Sequence, residues 1–496
     1  MTKTNSKKAL LSSAFALVLS VAMLIGTTFA WFTDTASTGV NKIVSGNLKV
    51  DIIGENSDSH IEKLNFKKAA ATDAEAGAAI LWEPGCRYLT EGFRIANKGN
   101  LALKWKAQVN MNNIINGKVE GSTIAKDGKS LLDVIDFYVV TSTDENAEAV
   151  AIEDFVGNLK KTETSEVYYI KGVMQTTAGN DYQGLTLDGI TITVVATQDT
   201  VENDSFNNQY DKDAEYPILV TTGDELQAIV SNATAPVNIV LANSITTNNF
   251  VIPADKDVTL DLNGRTVTNA GSHTILNKGH LTLTDSSTDK SGQIISLKGN
   301  TAALRNGDNA VCVVEGGTIS RDGANGNTWH VVENFGKMTF NGGKVVLKNG
   351  NGFAITNGWN YFDPGASTTH AVMEINALEL DTDSSGIKNC RYGDLTVNDA
   401  TVTSTGYWAL SNDYLGTAVI NGGTLTSNSF KAVSNGAAMT VNGGTFDGTE
   451  GLFVQSYATS TVLNGGTFTN MNVDALSSYV GTGHTAQQSG TSVIIK

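Results

Sequence analysis

Apolar and polar residues alternate along much of this chain, in short runs bounded by glycine and asparagine. Asn47-Leu48-Lys49-Val50-Asp51-Ile52 alternates, as do Leu101-Ala102-Leu103-Lys104-Trp105-Lys106 and Ile190-Thr191-Ile192-Thr193-Val194-Val195. A period of two puts successive side chains on opposite faces, so each run predicts a strand with one buried face. Only short stretches such as Leu131 to Ile135 are spaced for a helix in this half. Residues 31–210 therefore predict a two-sheet antiparallel sandwich. The chain turns polar and charged over 211–221, a linker. Thr222-Gly223-Asp224-Glu225 then has the form of a capping box opening a helix with Leu226, Ile229 and Val230 on one side. One helix ahead of a long run of strands predicts, over 222–250, a cap on the open end of a stack.

Beyond the cap the pattern repeats. Val441-Asn442-Gly443-Gly444-Thr445-Phe446 recurs as Ile420-Asn421-Gly422-Gly423-Thr424-Leu425 and as Leu463-Asn464-Gly465-Gly466-Thr467-Phe468, at spacings of 21 and 22. Degenerate copies lie at Glu315-Gly316-Gly317 and Asn341-Gly342-Gly343, with Asn376 and Asn398 at comparable positions. A second signature ends in asparagine after a small or apolar pair: Ala303-Leu304-Arg305-Asn306, Val331-Val332-Glu333-Asn334, Ala354-Ile355-Thr356-Asn357, Ala409-Leu410-Ser411-Asn412 and Ala432-Val433-Ser434-Asn435. Looser copies end at Asn277 and Asn389, and Ser456 stands at the last position. The first signature follows the second by seven to nine residues, except after Asn357, where a looped insertion at Tyr361 to Gly365 widens the gap to 19. Short strands and glycine turns at this period predict a right-handed parallel β-helix over 251–480, followed by a tail over 481–496. About nine coils at ~4.8 Å each give a rod roughly 40 Å long. Stacked in register, Asn277, Asn306, Asn334, Asn357, Asn389, Asn412 and Asn435 predict a ladder of amide hydrogen bonds. Asparagine also suits a left-handed corner, as does the glycine after it at Gly307, Gly358 and Gly436. The overall fold class is all-β.

At the N-terminus, Lys3, Lys7 and Lys8 precede an apolar run from Ala9 to Ile25 and the small residues of Gly26-Thr27-Thr28-Phe29-Ala30. That order predicts a secretory signal peptide over 1–30, cut between Ala30 and Trp31. The run of 17 residues is shorter than the ~20 of a spanning helix; left uncleaved, it is the chain's only contact with a membrane. Fifty acidic residues against 34 basic ones give a net charge of −16, which repels nucleic acid and anionic lipid. Fifty glycines and five prolines fit a turn-rich β protein. Cys86, Cys312 and Cys390 are too dispersed for a disulfide scaffold or a metal site and read as small buried hydrophobes.

The junction Gly26-Thr27-Thr28-Phe29-Ala30-Trp31-Phe32-Thr33-Asp34, followed by Ser45-Gly46-Asn47-Leu48-Lys49-Val50, resembles the start of the TasA/camelysin family of Gram-positive biofilm matrix proteins. Trp82-Glu83-Pro84-Gly85, Asn97-Lys98-Gly99-Asn100-Leu101-Ala102-Leu103-Lys104 and Asn180-Asp181-Tyr182-Gln183-Gly184 leading to Ala196-Thr197-Gln198 follow in the family's order. The resemblance covers residues 1–210. It implies a jelly-roll-like sandwich, secretion to the extracellular matrix or cell surface, and assembly into fibres with copies of itself or related matrix subunits. In that family the segment after the cleavage site lends a strand to the next subunit; here it corresponds to Trp31 to about Ser45. Pairing of Val40 to Ile53 within its own domain is the other arrangement.

Some relatives are described as metallopeptidases, but His60, His273, His280, His330, His370 and His484 contain no HExxH pair, and only His60 lies in the family-like region. No metal or cofactor is expected there. Other β-helices are polysaccharide lyases or glycoside hydrolases, which need clustered carboxylates. Aligning coils by the asparagines puts Arg305, Glu333, Thr356 and Lys388 in one column, with a single carboxylate, read as solvated charges pairing between coils. Asp381-Thr382-Asp383-Ser384-Ser385-Gly386 has the opening of a calcium loop, yet Tyr392 stands where an EF-hand places glutamate. Trp359, Tyr361, Tyr392, Tyr414 and Tyr457 each follow a ladder position by one to four residues. Such a stripe either binds a glycan or cell-surface ligand or packs beneath the insertion.

Overall fold

The structure is a computed structural model describing residues 48–61, 64–67, 80–110, 114–115, 118–119, 131–144, 146–185, 191–199, 216–324, 329–359 and 369–496. The segment around Ala30 and Trp31, the proposed donor arm and Tyr361 lie outside these residues.

The three alternating runs of the first half all appear as strands, Val50–Gly54, Leu103–Asn110 and Thr191–Gln198. Leu131–Asp133 is a single 3-10 turn ahead of the strand Ile135–Val140. Pairing here is antiparallel throughout: Val50–Gly54 with Phe93–Asn97, Leu103–Asn110 between Val156–Leu159 and Thr191–Gln198, and a five-stranded sheet centred on Tyr169–Met174. Phe93, Ile95, Leu103, Trp105, Val139 and Ile170 from these three sheets, with Phe155 beside them, form one core. Val195 carries the contact onward, packing against Leu219 and Ala242 at the start of the second half.

From residue 218 to 468 the chain winds as a parallel β-solenoid of about ten turns with three faces. The first face runs from Ile218–Val220 to Ser460–Leu463, the second from Ile245–Thr247 to Gly466–Phe468, the third from Val251–Ile252 to Leu452–Val454. The winding thus starts some thirty residues before the repeat becomes visible in sequence, because Ile218–Val220 already pairs in parallel with Val237–Leu241. The helix Gly223–Asn232 interrupts this first coil and buries Leu226 and Val230. Half of its cap is the expected one, since Thr222 Oγ1 accepts the Glu225 amide at 3.1 Å; the Glu225 carboxylate reaches back one residue further, to the Thr221 amide at 2.8 Å. At the other end residues 481–496 are not a tail. Ser492–Ile495 and Ala486–Ser489 add antiparallel strands to the second face, burying Val493 and Ile495, so the last coil's edge is paired.

Inside, each face contributes a column of like residues. On the third face Ile275, Leu304, Val332, Ile355, Ile387, Leu410, Val433 and Leu452 stack in register, all buried. Each such side chain gains roughly 1.5–3 kcal/mol from leaving water.

The predicted asparagine ladder is continuous and fully buried. Nδ2 of Asn277 donates to Oδ1 of Asn306 at 2.7 Å, and the pattern continues through Asn334, Asn357, Asn389 and Asn412 to Asn435, each step 2.7–2.9 Å. Val454, not Ser456, follows Asn435 in register, and Asn435 instead donates to Ser460 O and Thr461 Oγ1. The backbone expectation was wrong: these asparagines end strands and none has a positive φ. Of the glycines expected to share that geometry only Gly358 has it, and Gly307 and Gly436 do not; it falls otherwise on the second glycine of each Asn-Gly-Gly motif, Gly343, Gly423, Gly444 and Gly466, with φ between +90° and +112°. A second ladder, exposed, joins the Asn-Gly-Gly asparagines themselves. Asn464 donates to Asn442, then to Asn421, Asn398, Asn376 and Asn341, which ends on the Glu315 carboxylate. Its amides point toward the N-terminus, those of the buried ladder toward the C-terminus.

Candidate functional site

The residue between the inward aliphatic and the ladder asparagine must point outward, because strand side chains alternate. On the third face this position is occupied in successive coils by Arg305, Glu333, Thr356, Lys388, Ser411, Ser434 and Phe453. The column read from sequence is therefore present, in the same order. Its burial is not as expected. Glu333 is 4% exposed, held by Arg305 Nη1 at 2.9 Å and by Trp329 Nε1 at 3.0 Å.

Three cations on this face share one arrangement, each between an aromatic ring and a carboxylate. The Arg305 guanidinium lies 4.5 Å from the Phe335 ring and pairs with Glu333. Lys388 Nζ is 5.5 Å from the Phe353 ring and 3.1 Å from Asp413. Lys431 Nζ is 3.6 Å from the Phe453 ring and 3.0 Å from Glu450. Ring faces attract cations, and the pairing leaves no net charge at each site.

The predicted aromatic stripe divides. Trp359 packs on Phe335, ring centroids 4.5 Å apart, and its buried Nε1 has no acceptor among the described residues. Its backbone N–H donates to Arg391 O, pinning the corner beside the insertion. Tyr392 lies under the Arg391 guanidinium and beside His370. Tyr414 and Tyr457 face solvent, the latter against Gly436. Sequence reasoning missed the opposite flank of the column, four or five residues before each ladder asparagine: Trp329, His330, Phe353, Tyr407, Trp408, Phe430 and Lys431. Counting backward as well as forward from the ladder would have found it.

Acid–base cleavage needs two carboxyl groups within about 9.5 Å of one bond. Glu333 and Asp413 are three coils apart, roughly 14 Å along the axis at ~4.8 Å per coil, and each is taken up by a cation. The calcium-loop reading does not fit: Asp381 pairs with Lys348 at 2.7 Å, Asp383 accepts the Asn349 and Gly350 amides, and Ser385–Asn389 is a strand. Among the described residues no three His, Cys, Asp or Glu side chains converge as a metal site would require. Cys312 and Cys390 are buried thiols pushed up to about 12, inert packing groups.

His273 and His330 border the same face, and burial holds both imidazoles below their usual 6.5. His273 Nδ1 accepts the Ala302 amide at 2.8 Å, which requires that nitrogen unprotonated. The folded pKa is the depressed one, so below about pH 6.5 the unfolded chain takes up protons that the folded chain does not. Stability therefore falls as pH drops through that region and levels off below the folded values. The urea midpoint is expected to decline between about pH 7 and 5, and less steeply in His273→Gln; parallel profiles for both proteins would remove His273 as a source.

No helix among the described residues is long and apolar enough to cross a membrane. Compared with known proteins, the chain matches no family model, no curated protein and no solved structure.

Proposed function

We propose that this chain is a secreted structural and adhesive protein of the extracellular matrix or cell surface. Its N-terminal region acts as a jelly-roll-like sandwich that joins subunits by strand exchange, and its solenoid, wound right-handed as parallel crossovers are, serves as a rod for binding. The observation that carries this reading is the third face: an unbroken outward column whose charges are mutually compensated, backed by a ladder that fixes its geometry. Such a surface is rigid and presents rings and polar groups at a constant interval, which favours display over turnover. The junction and strand motifs that resemble those of TasA/camelysin proteins support a reading of export and self-assembly. An extended arm from Trp31 to Ser45 can complete a neighbour's sheet through main-chain hydrogen bonds, and the antiparallel sheets of the N-terminal region have edge strands to receive it, such as Val156–Leu159.

Electron microscopy tests assembly. Purified protein starting at Trp31 is expected to polymerise into fibres, and the same protein lacking residues 31–45 is expected to stay monomeric. Equal fibre formation by both would refute strand exchange through this arm.

A further inference from the structure

Tyr407, Trp408, Phe430 and Phe453 lie on three successive coils and touch one another outside the solenoid wall. The Trp408 and Phe453 rings are stacked, centroids 6.0 Å apart and 24° from parallel. Phe430 stands edge-on to Trp408 at 4.7 Å and to Tyr407 at 5.8 Å. The core of these coils is already filled by Ala409, Leu410, Ala432, Val433 and Leu452, all buried, so the wall does not need the rings. Tyr407 is 58% exposed. Trp408, Phe430 and Phe453 are half-buried against one another, so the water-facing part of the cluster is chiefly the Tyr407 ring, and a partner that covers it is favoured.

We propose that this cluster is a platform for an extended, uncharged polysaccharide lying along the rod axis. Coils advance ~4.8 Å each, close to the length of one pyranose in an extended chain, so successive sugars meet successive coils. The apolar C–H faces of sugars pack on aromatic surface, here the exposed Tyr407 ring with the outward edges of Trp408 and Phe430 beside it. The Lys431–Glu450 pair at the cluster and the Lys388–Asp413 pair one coil before it offer donors and acceptors side by side, as sugar hydroxyls require. Charge selects the neutral polymer. Arg305, Lys388 and Lys431 are each matched by their own carboxylate, and the chain as a whole carries −16, so an anionic polysaccharide meets a repulsive background.

The proposal rests on the rod being a displayed binding surface, but not on fibre formation, which the 31–45 deletion scores separately. The test is titration of the full chain with cellohexaose, chitohexaose and a galacturonate hexamer, followed by tryptophan fluorescence. At least one neutral hexasaccharide is expected to bind and the anionic one not. Trp408→Ala and Tyr407→Ala are each expected to weaken binding at least tenfold, while Val372→Ala, an exposed position on the first face, leaves it unchanged. Tyr407 is exposed enough that its replacement leaves the fold intact, so the result stands even where Trp408→Ala fails to fold. No binding of either neutral sugar, equal affinity in Tyr407→Ala, or preference for the galacturonate would each overturn the proposal.

Discussion

Replacing Asn357 by alanine is expected to lower the stability of the solenoid by about 3 kcal/mol or more. Its amide sits mid-ladder and has no exposed surface. Oδ1 accepts from Asn334 at 2.7 Å, while Nδ2 donates to Asn389 Oδ1 at 2.9 Å and to the carbonyls of Asp394 and Ala371 at 3.2 and 3.3 Å. Alanine leaves the Asn389 oxygen without its donor in a place water does not reach. Each buried polar group so stranded costs about 1–3 kcal/mol, and the lost side-chain volume adds a cavity term. Asn442→Ala in the exposed ladder is the control. It too bridges two neighbours, Asn421 and Asn464, but water can replace the amide there, so about 1 kcal/mol or less is expected. Urea midpoints at constant m separate the two cases; equal losses would mean that burial does not set the strength of these ladders.

The second large effect is expected at Gly423. Its φ is +93°, and a Cβ there would lie 2.6 Å from Ala400 O and 2.7 Å from Ala400 N, backbone atoms that cannot swing aside. Gly423→Val combines that clash with a backbone conformation that β-branched residues avoid, and should cost about 3 kcal/mol or more. Coils in a solenoid contact only their neighbours, so the damage should centre on the coils flanking Ala400 and Gly423. The first glycine of a degenerate copy gives the contrast. Gly316 has no positive φ and would place its Cβ no closer than 3.7 Å to any atom outside its neighbours, so Gly316→Ala should be neutral or raise stability by up to about 1 kcal/mol. Thermal melting of the two variants decides it: a Gly423→Val protein melting with the parent would show that the corner relaxes.

Much of the solenoid was legible because stacking turns sequence position into spatial neighbourhood. Once the asparagines are aligned, Arg305, Glu333, Thr356 and Lys388 must be neighbours, and they are. The capping box at Thr222 was legible for the same local reason, since its bonds span three or four residues. The first coil was not, because Ile218–Val220 is separated from its partner by an entire helix and carries no repeat signature. The backbone of the ladder asparagines was misread because two roles of asparagine, amide stacking and left-handed turning, share one letter. Structure assigns the first to Asn357 and the second to Gly358 after it.

By itself, then, the sequence determined the all-β class, the parallel solenoid, the register of its coils from Asn277 to Asn435 and the outward column Arg305, Glu333, Thr356 and Lys388, since all follow from periods of two within strands and one motif per turn. Tertiary structure alone decided which outward residues are covered. Periodicity fixes where a loop residue starts but not which neighbour its long side chain reaches across coils: Trp329 closes over Glu333, Trp408 stacks on Phe453 two coils away, and Tyr407 stays in solvent.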